Sequence, residues 1–294
     1  MSQKIYDLIT DRIIDLLEKG VIPWRKPWDA ASGAPRNLVS GKAYRGINAI
    51  LLASLGFSSS WFATFHQIKA LGGSVKKGMH GIPVVFWKFL EAATEPGGDD
   101  DQSDRRERVP LLRYYTVFNL DQTEGIPAGK IPALETCPFE PLTECERIVA
   151  EMPMRPEIRH TTENRAYYRP SADLVNMPLR ESFHSAADYY NSLFHELTHS
   201  TGHASRLARK SLETWAPFGT ADYSREELVA EMGAGFLCAH ASLESSTLEN
   251  TAAYIQSWLQ VLKDDRRAVI VAAGQAQRAA DYILGNPSED EPTH

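Results

Sequence analysis

Apolar residues recur at helical spacing from the first turns of the chain. Ile5, Leu8, Ile9, Ile13, Leu16 and Leu17 fall on one face, and the run stops at Gly20. A period near 3.6 predicts an amphipathic helix over residues 3–19. Helices are also predicted over 48–55, closed by Gly56, and over 61–71, closed by Gly72-Gly73. The pattern then changes. Ile82-Pro83-Val84-Val85-Phe86-Trp87-Lys88-Phe89 reads as a strand, and Arg113-Tyr114-Tyr115-Thr116-Val117-Phe118-Asn119-Leu120 as its antiparallel partner. Residues 95–108, between them, are glycine-rich and charged with almost nothing to bury, which predicts a disordered excursion at the hairpin end. Prolines at 127, 132, 138 and 141 mark residues 126–142 as a linker. A helix over 143–152 opens the second half, and short strands over 166–169 and 173–177 follow. The expected fold is α+β in two domains. Residues 1–125 combine helices with a small antiparallel sheet, and residues 143–294 form a second, more helical unit.

Composition narrows the setting. The 294 residues are 43% hydrophobic, enough for real cores, and the apolar runs are well short of a bilayer span. The N-terminus opens a charged helix and lacks the apolar stretch of a signal peptide. Three cysteines, Cys137, Cys145 and Cys238, form no C-x-x-C pair, so a reducing cytoplasm is expected. The net charge of −7 hides an asymmetry. Residues 1–130 hold 17 Lys and Arg against 14 Asp and Glu, whereas residues 131–294 hold 14 against 24. Within 24–90 there are nine basic residues and one acid, Asp29. Such a segment attracts a polyanion.

The candidate chemistry lies in the acidic half. His195-Glu196-Leu197-Thr198-His199 places two imidazoles at i and i+4, on one face of a helix, where both reach one ion. The preceding run from 186 to 194 contains no glycine or proline, and Leu193 and Leu197 can pack inward. Two surface histidines on a solvated helix are the bland alternative. A metal site of this kind takes a third protein ligand and leaves a position for water. The extended H-E-x-x-H-x-x-G-x-x-H scheme has Gly202 in place but Ser205 where its last histidine belongs, and His203 stands two residues early. Glu227 and Glu231, four apart on a predicted helix, offer two carboxylates facing the same way. Ala230, Gly233, Ala234 and Gly235 would let that helix approach the metal helix closely.

This second run resembles the E-x-x-A-[D/N/E] helix of glutamate-ligand zincins. The resemblance implies Glu227 as the third ligand and Glu231 as the carboxylate that orients a ligand histidine. The imidazole-rich set favours zinc, with manganese or another divalent ion as alternatives. The reaction expected is peptide hydrolysis, with Glu196 as general base toward a water acidified by the ion. Tyr223 and His203 are candidate donors to the oxyanion. The strand over 173–177 could align a peptide by strand addition.

The basic half is also aromatic. Residues 24–90 hold Trp24, Trp28, Trp61 and Trp87, four of the six tryptophans. Rings interleaved with cations suit single-stranded nucleic acid, since bases stack and phosphates pair. Arg25, Lys26, Lys42, Arg45, Lys76 and Lys77 are the candidate phosphate contacts. Trp24, Trp28 and Tyr44, in loop-like sequence, are the candidate stacking partners. Phe62, Phe65 and Phe86 read as core.

Pro23-Trp24-Arg25-Lys26-Pro27-Trp28, Asn37, Gly41-Lys42-Ala43-Tyr44-Arg45-Gly46-Ile47-Asn48 and Leu71-Gly72-Gly73-Ser74-Val75-Lys76-Lys77-Gly78 are similar to the N-terminal domain of ArdC-type antirestriction proteins. His195-Glu196-Leu197-Thr198-His199-Ser200-Thr201-Gly202-His203 and Glu226-Glu227-Leu228-Val229-Ala230-Glu231 resemble that family's zincin-like C-terminal domain. The resemblance adds Asn37 and Asn48 to the DNA-binding candidates. It implies a protein of conjugative plasmids that binds single-stranded DNA and protects incoming DNA from restriction. It also implies a shared N-terminal domain with plasmid primases. A DNA-binding protein with a vestigial metal site, and a peptidase effector whose basic half binds protein, are the competing readings.

Overall fold

The structure is a computed structural model. It describes residues 2–24, 34–91, 108–132, 141–209, 221–243 and 251–286. The expected excursion over 95–108 therefore lies almost wholly outside the described residues, as do Arg25, Lys26, Trp28 and Cys137.

Helix α1 (Ser2–Glu18) buries Ile9, Ile13 and Leu17, the stripe anticipated from their spacing. Gly20, at φ +76°, ends it in the left-handed region that glycine reaches without a Cβ penalty. Helix α2 (Ile47–Ala53) follows the two-residue strand β1 (Arg36–Asn37). The single helix expected over 61–71 is instead a strand and a helix, β2 (Trp61–Thr64) and α3 (Phe65–Ala70). Thr64 makes the switch. Its side chain accepts from the Gln67 N–H, and the Gln67 side chain accepts from the Thr64 N–H at 2.8 Å. This reciprocal capping box fixes a helix start inside a run whose apolar spacing alone reads as continuous helix.

Strands β4 (Ile82–Glu91) and β5 (Arg108–Asn119) pair antiparallel, with Val84 opposite Tyr115 and Phe86 opposite Arg113. The sheet order is β1-β2-β5-β4. A separate ribbon joins β3 (Ser74–Val75) to β6 (Thr123–Glu124). One face of the main sheet buries Phe62, Val84 and Val117 beneath Leu52, with Tyr44 and Phe57 against them. The other buries Trp61 and Ala63 with Leu38 and Ile68. Ile126 and Ile131 pack on this second cluster, so the start of the expected linker belongs to the body of the N-terminal half.

In the second half, α4 (Pro141–Glu151) precedes β7 (Glu157–Thr161), β8 (Tyr167–Arg169) and β9 (Leu174–Pro178). Their order is β7-β9-β8. The strand expected to receive a peptide is thus the central one, paired parallel to β7 and antiparallel to β8. It is paired on both sides over Leu174–Asn176, so strand addition there is excluded. Helices α5 (Ala186–Ser200), α6 (Ala221–His240), α7 (Thr251–Asp264) and α8 (Ala268–Ile283) complete the described fold.

One hydrophobic core runs through both halves. Ile9, Ile13, Trp24 and Ile50 share it with Phe194, Leu228, Trp258 and Ile270. Polar contacts reinforce the junction: the Thr10 hydroxyl donates to the Arg266 carbonyl at 2.6 Å, and Lys263 pairs with Glu18 at 2.9 Å. Cys145 and Cys238 are free thiols in this core. No helix among the described residues is long and apolar enough to cross a membrane.

Candidate metal centre

The metal motif lies in the last turns of α5. Ser185 caps the helix by accepting from the Asp188 N–H. Leu193, Phe194 and Leu197 anchor it in the core, leaving His195 and His199 on the face turned to α6. The helices can approach because of a missing side chain. A Cβ on Gly233 would stand 2.5 Å from Cγ2 of Thr198. Gly235 serves a different contact from the one expected of it. It receives the backbone of Trp24, whose carbonyl oxygen lies 2.1 Å from where a Cβ would be.

His195, His199 and Glu227 converge. The Nε2 atoms of His195 and His199 are 3.1 Å apart. The Glu227 carboxylate oxygens lie 3.5 Å from Nε2 of His195 and 3.6 Å from Nε2 of His199. Three atoms held tetrahedrally at about 2.0–2.2 Å from one ion stand roughly 3.3–3.6 Å apart. The separations here are of that order, the two glutamate distances being to different oxygens of the carboxylate, so the cluster suits a divalent ion. Glu196, beside His195, is nearly buried, and its charge acts on both imidazoles.

A carboxylate stands behind each imidazole, and a hydrogen bond from Nδ1 to it leaves Nε2 to face an ion; the structure forms that bond at His199. Oε1 of Glu231 faces Nδ1 of His195 at 3.5 Å. Glu226 faces Nδ1 of His199 at 3.3 Å, a role that sequence reasoning missed. Arg209 was missed with it. Its guanidinium, 5% exposed, donates to Glu226 at 2.6 Å, to the Thr201 hydroxyl at 2.5 Å and to the Thr198 carbonyl at 2.8 Å. The available signal was Glu226-Glu227 in tandem: adjacent helical residues diverge by about 100°, so one carboxylate can bind an ion while the other reaches the imidazole behind it.

Four carboxylates and one guanidinium surround two imidazoles, leaving an excess of negative charge. Burial opposes a charged imidazole, but hydrogen bonds to Glu226 and Glu227 and the charge of Glu196 draw the His199 pKa up to about 10. Burial likewise opposes ionisation of Glu226, yet His199 and Arg209 hold its pKa down at about 2. Such a cluster attracts positive charge, and a dication satisfies it while leaving the imidazoles neutral.

The oxyanion candidates sit differently. Tyr223 is half-buried on α6, one turn before Glu227. His203 lies on the turn after α5, its Nδ1 engaged by the Ser205 hydroxyl at 2.8 Å and N–H at 3.2 Å. It does not join the three converging ligands.

The nucleic-acid candidates divide. Trp24 is fully buried, edge-on to Trp258 with centroids 5.3 Å apart, so it is not a stacking surface. Its loop-like surroundings concealed a core anchor. Asn48 clamps the free edge of β4, donating to the Val85 carbonyl at 2.6 Å and accepting from its N–H at 2.8 Å. Asn37 accepts from the N–H groups of Val39 and Ser40 and donates to Gln67 at 3.1 Å. Arg45 pairs with Asp281 of α8. These three side chains hold the fold. Lys42, Lys76 and Lys77 are exposed, although Lys76 also donates to the Asp121 carbonyl at 2.8 Å. Tyr44 is half-buried against Phe62. Of the rings read as core, Phe62 is buried, but Phe65 and Phe86 are 44% and 42% exposed.

A helix-borne H-E-x-x-H with a glutamate from a second helix, beside a three-stranded sheet, is the arrangement of a zincin-like metallopeptidase domain. Residues 143–275 match the family of that description, and residues 3–118 match the N-terminal domain of anti-restriction factor ArdC. Solved structures of the antirestriction protein ArdC from plasmid R388 superpose with a TM-score of 0.74. The metal-free form is 40% identical over 96% of this chain and 97% of that one. The Mn(II)-bound form is 39% identical over 97% and 99%. An uncharacterised Sinorhizobium fredii protein, y4eC, is 36% identical over 97% of this chain and 93% of its own length. DNA primase TraC of Escherichia coli is 33% identical over 97% of this chain, which spans only 27% of the primase. The chain belongs to the ArdC antirestriction family.

Proposed function

We propose that this chain is an antirestriction protein of a conjugative plasmid or related element, acting in the cytoplasm, which binds single-stranded DNA and hydrolyses a peptide bond at a divalent-metal site. The observation that carries the hydrolytic reading is the triangle of His195, His199 and Glu227 with Glu196 beside it. A purely structural site has no need of a fourth carboxylate next to the ligands. Glu231 and Glu226 orient the imidazoles, and Glu227 completes the set. When bound, zinc, or manganese as in the R388 relative, supplies Lewis acidity toward water and a carbonyl. Glu196 accepts the proton of the attacking water and delivers it to the leaving amine. Tyr223 and His203 are the side chains proposed to donate to the oxyanion. The substrate is a protein or peptide.

The basic, acid-poor segment 24–90 supports the DNA-binding part of the reading, with Lys42, Lys76 and Lys77 as exposed cations. An antirestriction protein of plasmid R388 and a relative named DNA primase support the same reading.

Metal content, hydrolysis of an unfolded protein substrate and protection of plasmid DNA entering a restricting host test this together. Wild type should bind one equivalent of ion and cleave. Glu196→Gln should keep the ion and lose cleavage. A protein that binds no divalent ion, or a Glu196→Gln variant that cleaves normally, rules out the hydrolytic site. Protection retained by Glu196→Gln assigns antirestriction to DNA binding alone.

A further inference from the structure

The main sheet carries a ring cluster that its packing does not use. Phe86 and Arg113 face each other across β4 and β5, and Tyr115 lies two residues along the same face. The Phe86 and Tyr115 rings stand 5.7 Å apart, tilted at 55°, and are 42% and 38% exposed. Tyr44 stands beside Tyr115 at the inner end, its ring edge-on to Phe62. On the same face Val84 and Val117 are buried beneath α2. The rings therefore begin where the helix cover stops.

The charge of this face is one-sided. Strands β1, β2, β4 and β5 and helices α2 and α3 contain no Asp or Glu except Glu91, the last residue of β4; the acidic helix α1 packs with Val85 and Leu112 on the opposite face. Arg113 is exposed and has no ion-pair partner among the described residues. Lys42, two residues before Tyr44, is exposed as well. Exposed aromatic rings bordered by cations and free of acids match unstacked nucleotides. A protein partner would be expected to meet some charge of both signs.

We propose that single-stranded DNA lies across the β4–β5 face, with bases stacked on Phe86, Tyr115 and Tyr44 and phosphates paired to Arg113 and Lys42. This rests on the single-stranded-DNA reading above and relocates its stacking surface from the tryptophans to the sheet.

The test uses the full chain and a fluorescent oligothymidine, with affinity followed by anisotropy against salt. Phe86→Ala and Tyr115→Ala should each weaken binding about 5-fold or more while leaving the salt slope unchanged. Arg113→Ala should lower that slope by about one. Phe86→Tyr, which keeps the ring, should bind like wild type. A duplex of equal length should compete poorly, because its bases are already stacked. Both alanine sites are solvent-exposed, and circular dichroism confirms folding. Photocrosslinking of iodouracil in the oligonucleotide should map to Phe86 or Tyr115. Wild-type affinity in both alanine variants, or crosslinks confined to residues 24–28, overturns the platform but leaves single-stranded-DNA binding standing. No binding by wild type overturns both.

Discussion

The carbonyl oxygen of Trp24 occupies the place where a Cβ of Gly235 would project, 2.1 Å from it. Gly235 lies on α6, the helix that carries Glu227, so the entry to the basic segment rests directly on the metal helix. A backbone carbonyl cannot rotate away as a side-chain end can. Gly235→Ala should therefore cost about 1–3 kcal/mol of stability, the usual range for overpacking. Thermal unfolding checks this, and an unchanged melting temperature would show that the Trp24 backbone yields.

Gly233 makes the corresponding contact with Thr198, the residue before His199. Here the obstacle is a buried side chain, which can be removed. Gly233→Ala should push α5 from α6, loosening the triangle and lowering metal affinity. Thr198→Ala should restore part of the loss in the double variant, because Cγ2 and Oγ1 are the atoms in conflict. A coupling of about 0.5–3 kcal/mol in the double-mutant cycle is expected for residues in contact. Strict additivity of the two changes would contradict the packing described.

Glu226 and Arg209 support His199 from behind. Glu226→Gln should lower metal affinity about 10- to 100-fold, as loss of a carboxylate behind a ligand histidine commonly does. Competition with a chelator reads this directly. Arg209→Met removes the partner of a carboxylate that is 6% exposed and should cost about 3–5 kcal/mol. Unaltered affinity in Glu226→Gln would remove Glu226 from the site.

Much of this arrangement is legible in the sequence. The helical spacing of α1, the H-E-x-x-H on a proline-free run and the Glu227/Glu231 pair each state their geometry locally. What failed depended on tertiary context. The 61–71 run has helical apolar spacing throughout, yet Trp61 and Phe62 complete a sheet whose other strands come from residues 36 and 119. Trp24 sits among prolines and cations, and only the groove at Gly235 reveals it as core. Strand β7 went unseen because Glu157-Ile158-Arg159-His160-Thr161 is largely exposed and has no apolar run. Arg209 could not be found at all by local pattern, since its partner lies 17 residues further on.

Asn48 and Arg45 match the family's N-terminal domain in sequence but serve the fold. Asn48→Ala leaves both backbone groups of Val85 without their side-chain partner, a loss of about 1–3 kcal/mol. Arg45→Ala strips Asp281, 8% exposed, of its pairing guanidinium. Both variants should melt earlier yet bind oligothymidine normally below their melting range. A tenfold loss of affinity in a fully folded Asn48→Ala protein would return that residue to the DNA interface.

Asp173 links acid stability to the loop that follows the metal helix. Burial raises the cost of its charge, but hydrogen bonds from Arg206 and Tyr168 outweigh that and hold its pKa below the usual 3.8. Arg206, with its side chain 1% exposed, also donates to the carbonyls of Ser200 at 2.7 Å and Met154 at 2.9 Å, so the carboxylate fixes a guanidinium that ties three segments together. A carboxyl whose folded pKa is depressed contributes stability above its unfolded pKa and loses that contribution as pH falls through the folded value. Asp173→Asn keeps the shape and removes the charge. The gap in melting temperature between wild type and Asp173→Asn should thus be constant above about pH 5 and close progressively below about pH 4. The carboxylate is about one-third exposed, so solvent screening makes the gap modest and added salt should shrink it further. A gap that widened on acidification would reverse the sign and exclude Asp173 as the stabilising charge.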